Sequence, residues 1–223
     1  MNFSHAINSA FEWPMSVQDH VLQSGYPCPI AQAVARHGGL SVRRFSSMRT
    51  DAAAVHEAVG TWLTAPQEFR FRSFIAVFPD ERSESITEFH DALWACLSGM
   101  RACEPVDRPV PPGTSDDVAS PEFTFTIHGT PFFVVGLSPH SPRKSRRTPV
   151  SGFALNPHKQ FEDLRASNSL EAVKHASRAR DMRFQGSINP MLSDHGKRSA
   201  ALQYSSMPVT AASQCPYHAN SKA

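Results

Sequence analysis

The apolar positions recur with a period that changes along the chain, and each change marks an element. From Asp51, the residues Val55, Val59, Trp62 and Leu63 repeat at helical spacing, with Asp51 placed to cap the helix. Phe71 to Phe78 is instead dense in aromatic and β-branched residues and stops at Pro79-Asp80, which predicts a strand buried on both faces. Ser85-Ile-Thr-Glu88 has the form of a capping box. Ile86, Phe89, Leu93, Leu97 and Met100 follow it on one face and give the clearest helix of the sequence. Ala31 to Ala35 extends into a short helix that His37-Gly38-Gly39 ends.

The second half reads differently. Arg101 to Ser120 carries closely spaced prolines and tandem aspartates without apolar periodicity, so it predicts a surface loop. Phe123 to Ile127 alternates, turns at His128-Gly129-Thr130-Pro131 and returns as the apolar run Phe132 to Leu137. That is a hairpin with one half-exposed strand, and His128 reads as a solvated turn residue. Phe153 and Leu155 form a short buried strand, and the turn-prone Asn156-Pro157 that follows places His158 at the mouth of an amphipathic segment. Ser169 to Met182 predicts a helix with Leu170, Val173 and Ser177 inward and Lys174, Arg178 and Arg180 outward. Asp194-His195-Gly196 reads as a turn, and residues 219–223 as a frayed end. The sum is a single α/β domain of the α+β kind over residues 1–223, with a mainly antiparallel central sheet flanked by helices.

Composition narrows the function classes. Forty per cent apolar and 19% charged residues are ordinary for a globular domain. A net charge of +2 gives no general reason to expect nucleic acid or an anionic membrane as partner. No apolar run reaches membrane-spanning length, and the opening Met1-Asn-Phe-Ser-His-Ala lacks the features of a secretory signal, so cytoplasm is the expected compartment. Cys28, Cys96, Cys103 and Cys215 make no zinc-like pair set. Cys96 and Cys103 read as structural.

Two segments carry candidate chemistry. His158 stands at a strand-to-helix junction, where an imidazole can ligate a metal, act as a base or cap a helix. In Ser138-Pro-His140-Ser-Pro-Arg143-Lys144-Ser-Arg146-Arg147, the basic run is either solvated or a set of guanidinium forks for carboxylates. It has no interleaved aromatic residues, which argues against nucleic acid.

These segments also resemble a known family. The strings Phe153-Ala-Leu-Asn-Pro-His158-Lys-Gln160-Phe161-Glu162-Asp-Leu164-Arg165, Gln185-Gly-Ser-Ile-Asn189-Pro190-Met191 and Cys215-Pro-Tyr-His218, with GTPFFVVGLSPHSPRKSRR upstream, are similar to the YqcI/YcgG family. The likeness runs from about Phe123 to His218, with a weaker echo at Pro27-Cys28-Pro29. It implies a heme-dependent oxygenase that N-hydroxylates a small guanidino or amino compound. The cofactor implied is noncovalent heme b, since no CxxCH motif is present. His158 is the leading axial (metal) ligand, with His218, Cys215 and Cys28 as alternatives; each cysteine abuts a proline, which suits a fixed thiolate or simply a rigid turn. Gln160 and Glu162 are expected to orient the His158 ring, and Phe161 to lie at the cofactor. Arg143, Arg146 and Arg147 would meet the propionates. Glu162 is also the candidate carboxylate for a cationic substrate, and Asn189 a catalytic-site hydrogen-bonding group. A small-molecule substrate, an electron donor and a homodimer follow as partners. The chain departs from the pattern at Ser138, where relatives have His-Pro and this chain has Ser-Pro-His140. Two other classes stay open: a passive heme or small-molecule binder, and a hydrolase using His158, Glu162 and Asp163, which the missing HExxH helix disfavours.

Overall fold

The computed structural model describes residues 17–208. Helix α1 (residues 17–22) and helix α2 (Pro29–Arg36) lead into strand β1 (Leu40–Arg44). Helix α3 (Ala52–Thr64), strand β2 (Ser73–Phe78) and helix α4 (Ile86–Ala102) complete the first half. The hairpin β3 (Phe125–Ile127) and β4 (Thr130–Leu137) is followed by a short 3-10 turn, Lys144–Arg146, and strand β5 (Ser151–Pro157). Helices α5 (Lys159–Ala166), α6 (Leu170–Gln185) and α7 (Ala201–Tyr204) close the described chain.

The strands form one sheet in the order β1-β2-β5-β4-β3. β1 and β2 are parallel, joined through α3, while the remaining pairs are antiparallel. This is the single α+β domain with a mainly antiparallel sheet that the periodicity predicts. β2 is buried along its whole length because each face meets a different cluster. Phe74, Ala76 and Phe78 pack into the main core with Val55, Val59, Phe89, Leu93 and Leu97 of α3 and α4. Ile75 and Val77 point the other way, towards Val17 and Leu137.

Local chemistry explains the element ends. Ser85 Oγ accepts from Glu88 N at 3.1 Å, as a capping residue should. The reciprocal arm differs from the capping-box form, since the Glu88 carboxylate accepts from Glu84 N at 2.9 Å. Asp51 occupies the N-cap position of α3 but turns backwards, accepting from Ser46 N at 2.7 Å and Ser47 N at 3.1 Å. His128 (φ +48°) and Gly129 (φ +65°) form the two-residue turn of β3 and β4, both in the left-handed region a type I′ turn requires. β3 is fully buried, contrary to its alternating pattern, because Thr126 is covered as well as Phe125 and Ile127. Helix α6 runs three residues past the predicted Met182 and stops at Gly186, which adopts φ +87°.

Candidate functional site

β5 delivers His158 to the start of α5. Asn156 and Pro157 are the last strand residues, not a turn: Pro157 pairs with Phe132, and His158 N donates to Pro131 O at 2.9 Å. The Asn156 side chain bridges the sheet, accepting from Ser73 Oγ at 2.6 Å and donating to Phe133 O at 3.2 Å. His158 O then accepts from Phe161 N and Glu162 N, which opens the helix. The backbone of His158 is therefore held from both sides.

Its ring is not. Among the described residues no hydrogen bond reaches either imidazole nitrogen of His158. The ring meets Phe161 edge-on at 6.4 Å and His195 edge-on at 5.6 Å between centroids. Phe161 in turn contacts Phe133, and Phe133 contacts Tyr204. Burial, with His195 and Arg165 adding to it, pulls the His158 pKa down to about 4. At neutral pH it is an uncharged imidazole with a lone pair to give. His195 sits on an exposed turn, where its Nε2 lies 2.9 Å from Gly113 O. A carbonyl only accepts, so Nε2 is the donor in that bond.

The neighbours predicted to serve His158 have other duties. Gln160 is buried and accepts from Arg72 N at 3.3 Å, so it does not orient the imidazole. Glu162 is exposed in the first turn of α5. Asn189 Oδ1 accepts from Met191 N at 3.0 Å in a local turn, which leaves only its NH2 group to act on a ligand.

The arginine loop is largely consumed inside the protein. Arg143 is buried and pairs with Asp181 at 2.6 Å, while also donating to Ser187 Oγ at 3.0 Å and Ser187 O at 2.7 Å. Asp181 further accepts from Asn189 N at 2.9 Å. One buried ion pair thus ties the basic loop to the Gly186–Asn189 segment. Arg146 is also buried and donates to the carbonyls of Gln203 and Tyr204 and to Ser206 Oγ. Burial lowers its pKa to about 10, so it stays charged at neutral pH. Arg147 is exposed and spends only its Nε, on Ser141 O at 2.9 Å. Ser138, the point of departure from the family pattern, is fully buried, and its Oγ accepts from His140 N while the His140 side chain is exposed.

Among the alternative ligands, Cys28 is the N-cap of α2, its sulfur accepting from Ala31 N at 3.4 Å. Burial pushes its thiol pKa up, which disfavours the thiolate that would bind iron. Cys215 and His218 lie outside the described residues, as do residues 219–223.

A second histidine cluster was not anticipated. His56 on α3, Glu104 just after α4 and His128 at the hairpin turn offer ligand atoms within 4.8 Å of one another. His56 Nε2 and Glu104 Oε1 stand 2.5 Å apart, and His128 N donates to the same oxygen at 2.9 Å. Two ligands bound at 2.0–2.1 Å to one tetrahedral ion sit about 3.3 Å apart, so this arrangement is closed on a proton. Burial opposes ionisation of Glu104, yet the His128 amide and the His56 ring hold its carboxyl below the usual range. The cluster pins the proline-rich loop: Glu104 is buried, and Arg108, 5% exposed in its side chain, reaches Asp116 at 2.8 Å. Arg101 and Ala102 belong to α4, and the loop beyond them is largely exposed but fastened at these points. The only sequence signal was His128-Gly129, a pair that demands a defined turn.

As a test for heme, the donor set is partly suited. His158 fits an axial position, being uncharged, desolvated and unspent. His195 meets the His158 ring edge-on, 5.6 Å between centroids, with its Nε2 spent on Gly113 O. Arg143 and Arg146 do not fit the propionate role, since their donors are buried in internal bonds. Arg165, exposed on α5 and near enough to lower the His158 pKa, is the cation that this geometry offers in their place. No helix among the described residues is long and apolar enough to cross a membrane.

A model of the YqcI/YcgG family matches residues 17–218, which extends the likeness read from motifs to nearly the whole chain. No curated protein and no solved structure matches.

Proposed function

The chain belongs to the YqcI/YcgG family, and on that footing we propose that it is a heme-dependent oxygenase that N-hydroxylates a small guanidino or amino compound. The observation that carries the reading is the His158 imidazole: fixed by backbone on both sides, uncharged, and free of hydrogen bonds at its ring among the described residues. Its ring nitrogens are spent on no described residue and are not sealed from solvent, so a ligand can reach them.

Heme b, when bound, supplies activation of oxygen at iron. His158 would hold the iron through its free ring nitrogen, and Phe161 and Phe133 would give apolar cover beside it. Arg165 is the cation for a propionate; Arg147, at the opposite end of β5 from His158, is not placed to share that role. Glu162, exposed one helical turn from His158, is the carboxylate for a cationic substrate. The Asn189 NH2 is a neutral donor for a polar ligand atom. N-hydroxylation places one atom of dioxygen in the N–O bond and releases the other as water. The two electrons and two protons come from an electron donor, in a cytoplasmic setting.

The test is an absorption spectrum of the protein produced with added heme precursor, repeated on His158→Ala. A Soret band that shifts or vanishes in the variant is the expected result. An unchanged band transfers the ligand role to His218 or Cys215, and no band in either protein overturns the heme reading. A band that carbon monoxide leaves unmoved reduces the protein to a heme binder without oxygen chemistry.

A further inference from the structure

A cleft of about 450 Å³ opens between α2 and the second half of α6 and shares no residue with the His158 site. Leu22 and Phe184 form its apolar side; Gln32, Arg36, Arg180 and Arg183 form the polar side. Arg180 and Arg183 are three residues apart on α6 and so share a face, opposite Arg36 at the end of α2. Among the described residues none of the three guanidinium groups has a carboxylate partner. One of them is held ready: Arg180 donates to Gln32 Oε1 at 3.0 Å. Gln32 is itself buried, its amide donating to Val21 O and Gln23 O.

Three unpaired cations around one concavity repel one another, and an anion between them relieves that repulsion. Guanidinium forks match the oxygens of carboxylate and phosphate, and Leu22 with Phe184 offers contact to an apolar body. The volume lies within the range of about 300–1,000 Å³ usual for small-ligand sites. We infer that this cleft binds a small organic oxyanion, a phosphate or carboxylate attached to an apolar group. The inference does not depend on heme. Its charge is the wrong sign for a guanidino or amino substrate, so it is a separate site from the one proposed above.

Calorimetric titration at low salt with phenyl phosphate and with benzoate tests it, against benzylamine and inorganic phosphate. At least one aromatic anion is expected to bind with Kd below about 1 mM, and roughly tenfold more weakly to the Arg36→Gln/Arg183→Gln variant. Both residues are exposed, so the variant should keep the wild-type circular dichroism spectrum. Which of the two anions binds tells phosphate from carboxylate. The inference fails if neither binds, if the variant binds equally well, or if benzylamine or inorganic phosphate binds as tightly.

Discussion

His56 and His128 stack with centroids 4.0 Å apart, and both rings are committed: one to Glu104, the other to the His56 carbonyl at 2.8 Å. His158 and His195 meet edge-on at 5.6 Å, and the His158 ring bonds to nothing described. Both pairs join segments far apart in sequence. The first pair uses its polar atoms to fasten a loop, and the second leaves them for something else. Satisfied polar groups are what a fold needs, whereas a desolvated imidazole with an unused lone pair is what a ligand site needs.

The difference should appear first in stability. Glu104→Ala removes the anion that faces His56, the His128 amide and Arg108, at 3.9 Å in the last case. Removing one partner from a buried charged network costs about 3–5 kcal/mol. Urea unfolding should show that loss as a lower midpoint with an unchanged slope. His158→Ala should cost far less at pH 7, for it severs no hydrogen bond. Equal losses in the two variants would erase the contrast between the clusters.

Acid sharpens the comparison next. The folded pKa of His158, about 4, lies below its unfolded value of about 6.5. The unfolded chain therefore binds the extra proton, and stability falls as pH drops from about 6.5 to 4, then levels off. The full effect is up to about 3 kcal/mol at 1.36 kcal/mol per pKa unit. His158→Gln should remove that component, so the stability gap between variant and wild type should change across this window. A constant gap would mean that the ring is solvated. Glu104 acts in a lower window. Its carboxyl is depressed, so its contribution is complete above the ordinary carboxylate pKa of about 4.3 and disappears as pH falls through the depressed value. Glu104→Gln should accordingly lose less stability than wild type on acidification below about pH 4.

The contrast also explains what was legible in the chain. The His158 site was visible because its parts are local: a buried strand, Asn156-Pro157 and an amphipathic helix follow each other directly. Even so, the sequence pattern assigned Asn156 to a turn, because its role as a bridge between Ser73 and Phe133 depends on strands that are distant in sequence. The same blindness misread the arginines. A run of basic residues looks available, but Asp181 and the carbonyls near Tyr204 approach it only in the fold. The His56–Glu104–His128 cluster draws on three elements separated by 48 and 24 residues, which no periodicity reports. Strands and helices were legible because burial imposes a period on them; long-range polar pairing imposes none.

The smallest effect isolates the His56–His128 stack itself. A Cβ at Gly60 would stand 2.8 Å from Cε1 of His128, too close for both to remain in place. Gly60 lies inside α3, where alanine is otherwise favoured over glycine by about 0.8–1 kcal/mol. In wild type the crowding should offset that gain, leaving Gly60→Ala near neutral or slightly destabilising. His128→Asn removes the ring while keeping a residue type that tolerates the positive φ at this position. In that background Gly60→Ala should stabilise by close to the full helix-propensity value. A double-mutant cycle in urea reads the difference as a coupling of about 1 kcal/mol between positions 60 and 128. Zero coupling would mean that the exposed ring swings aside without cost, so that only the Glu104 bonds, and not the stack on α3, fasten the hairpin turn.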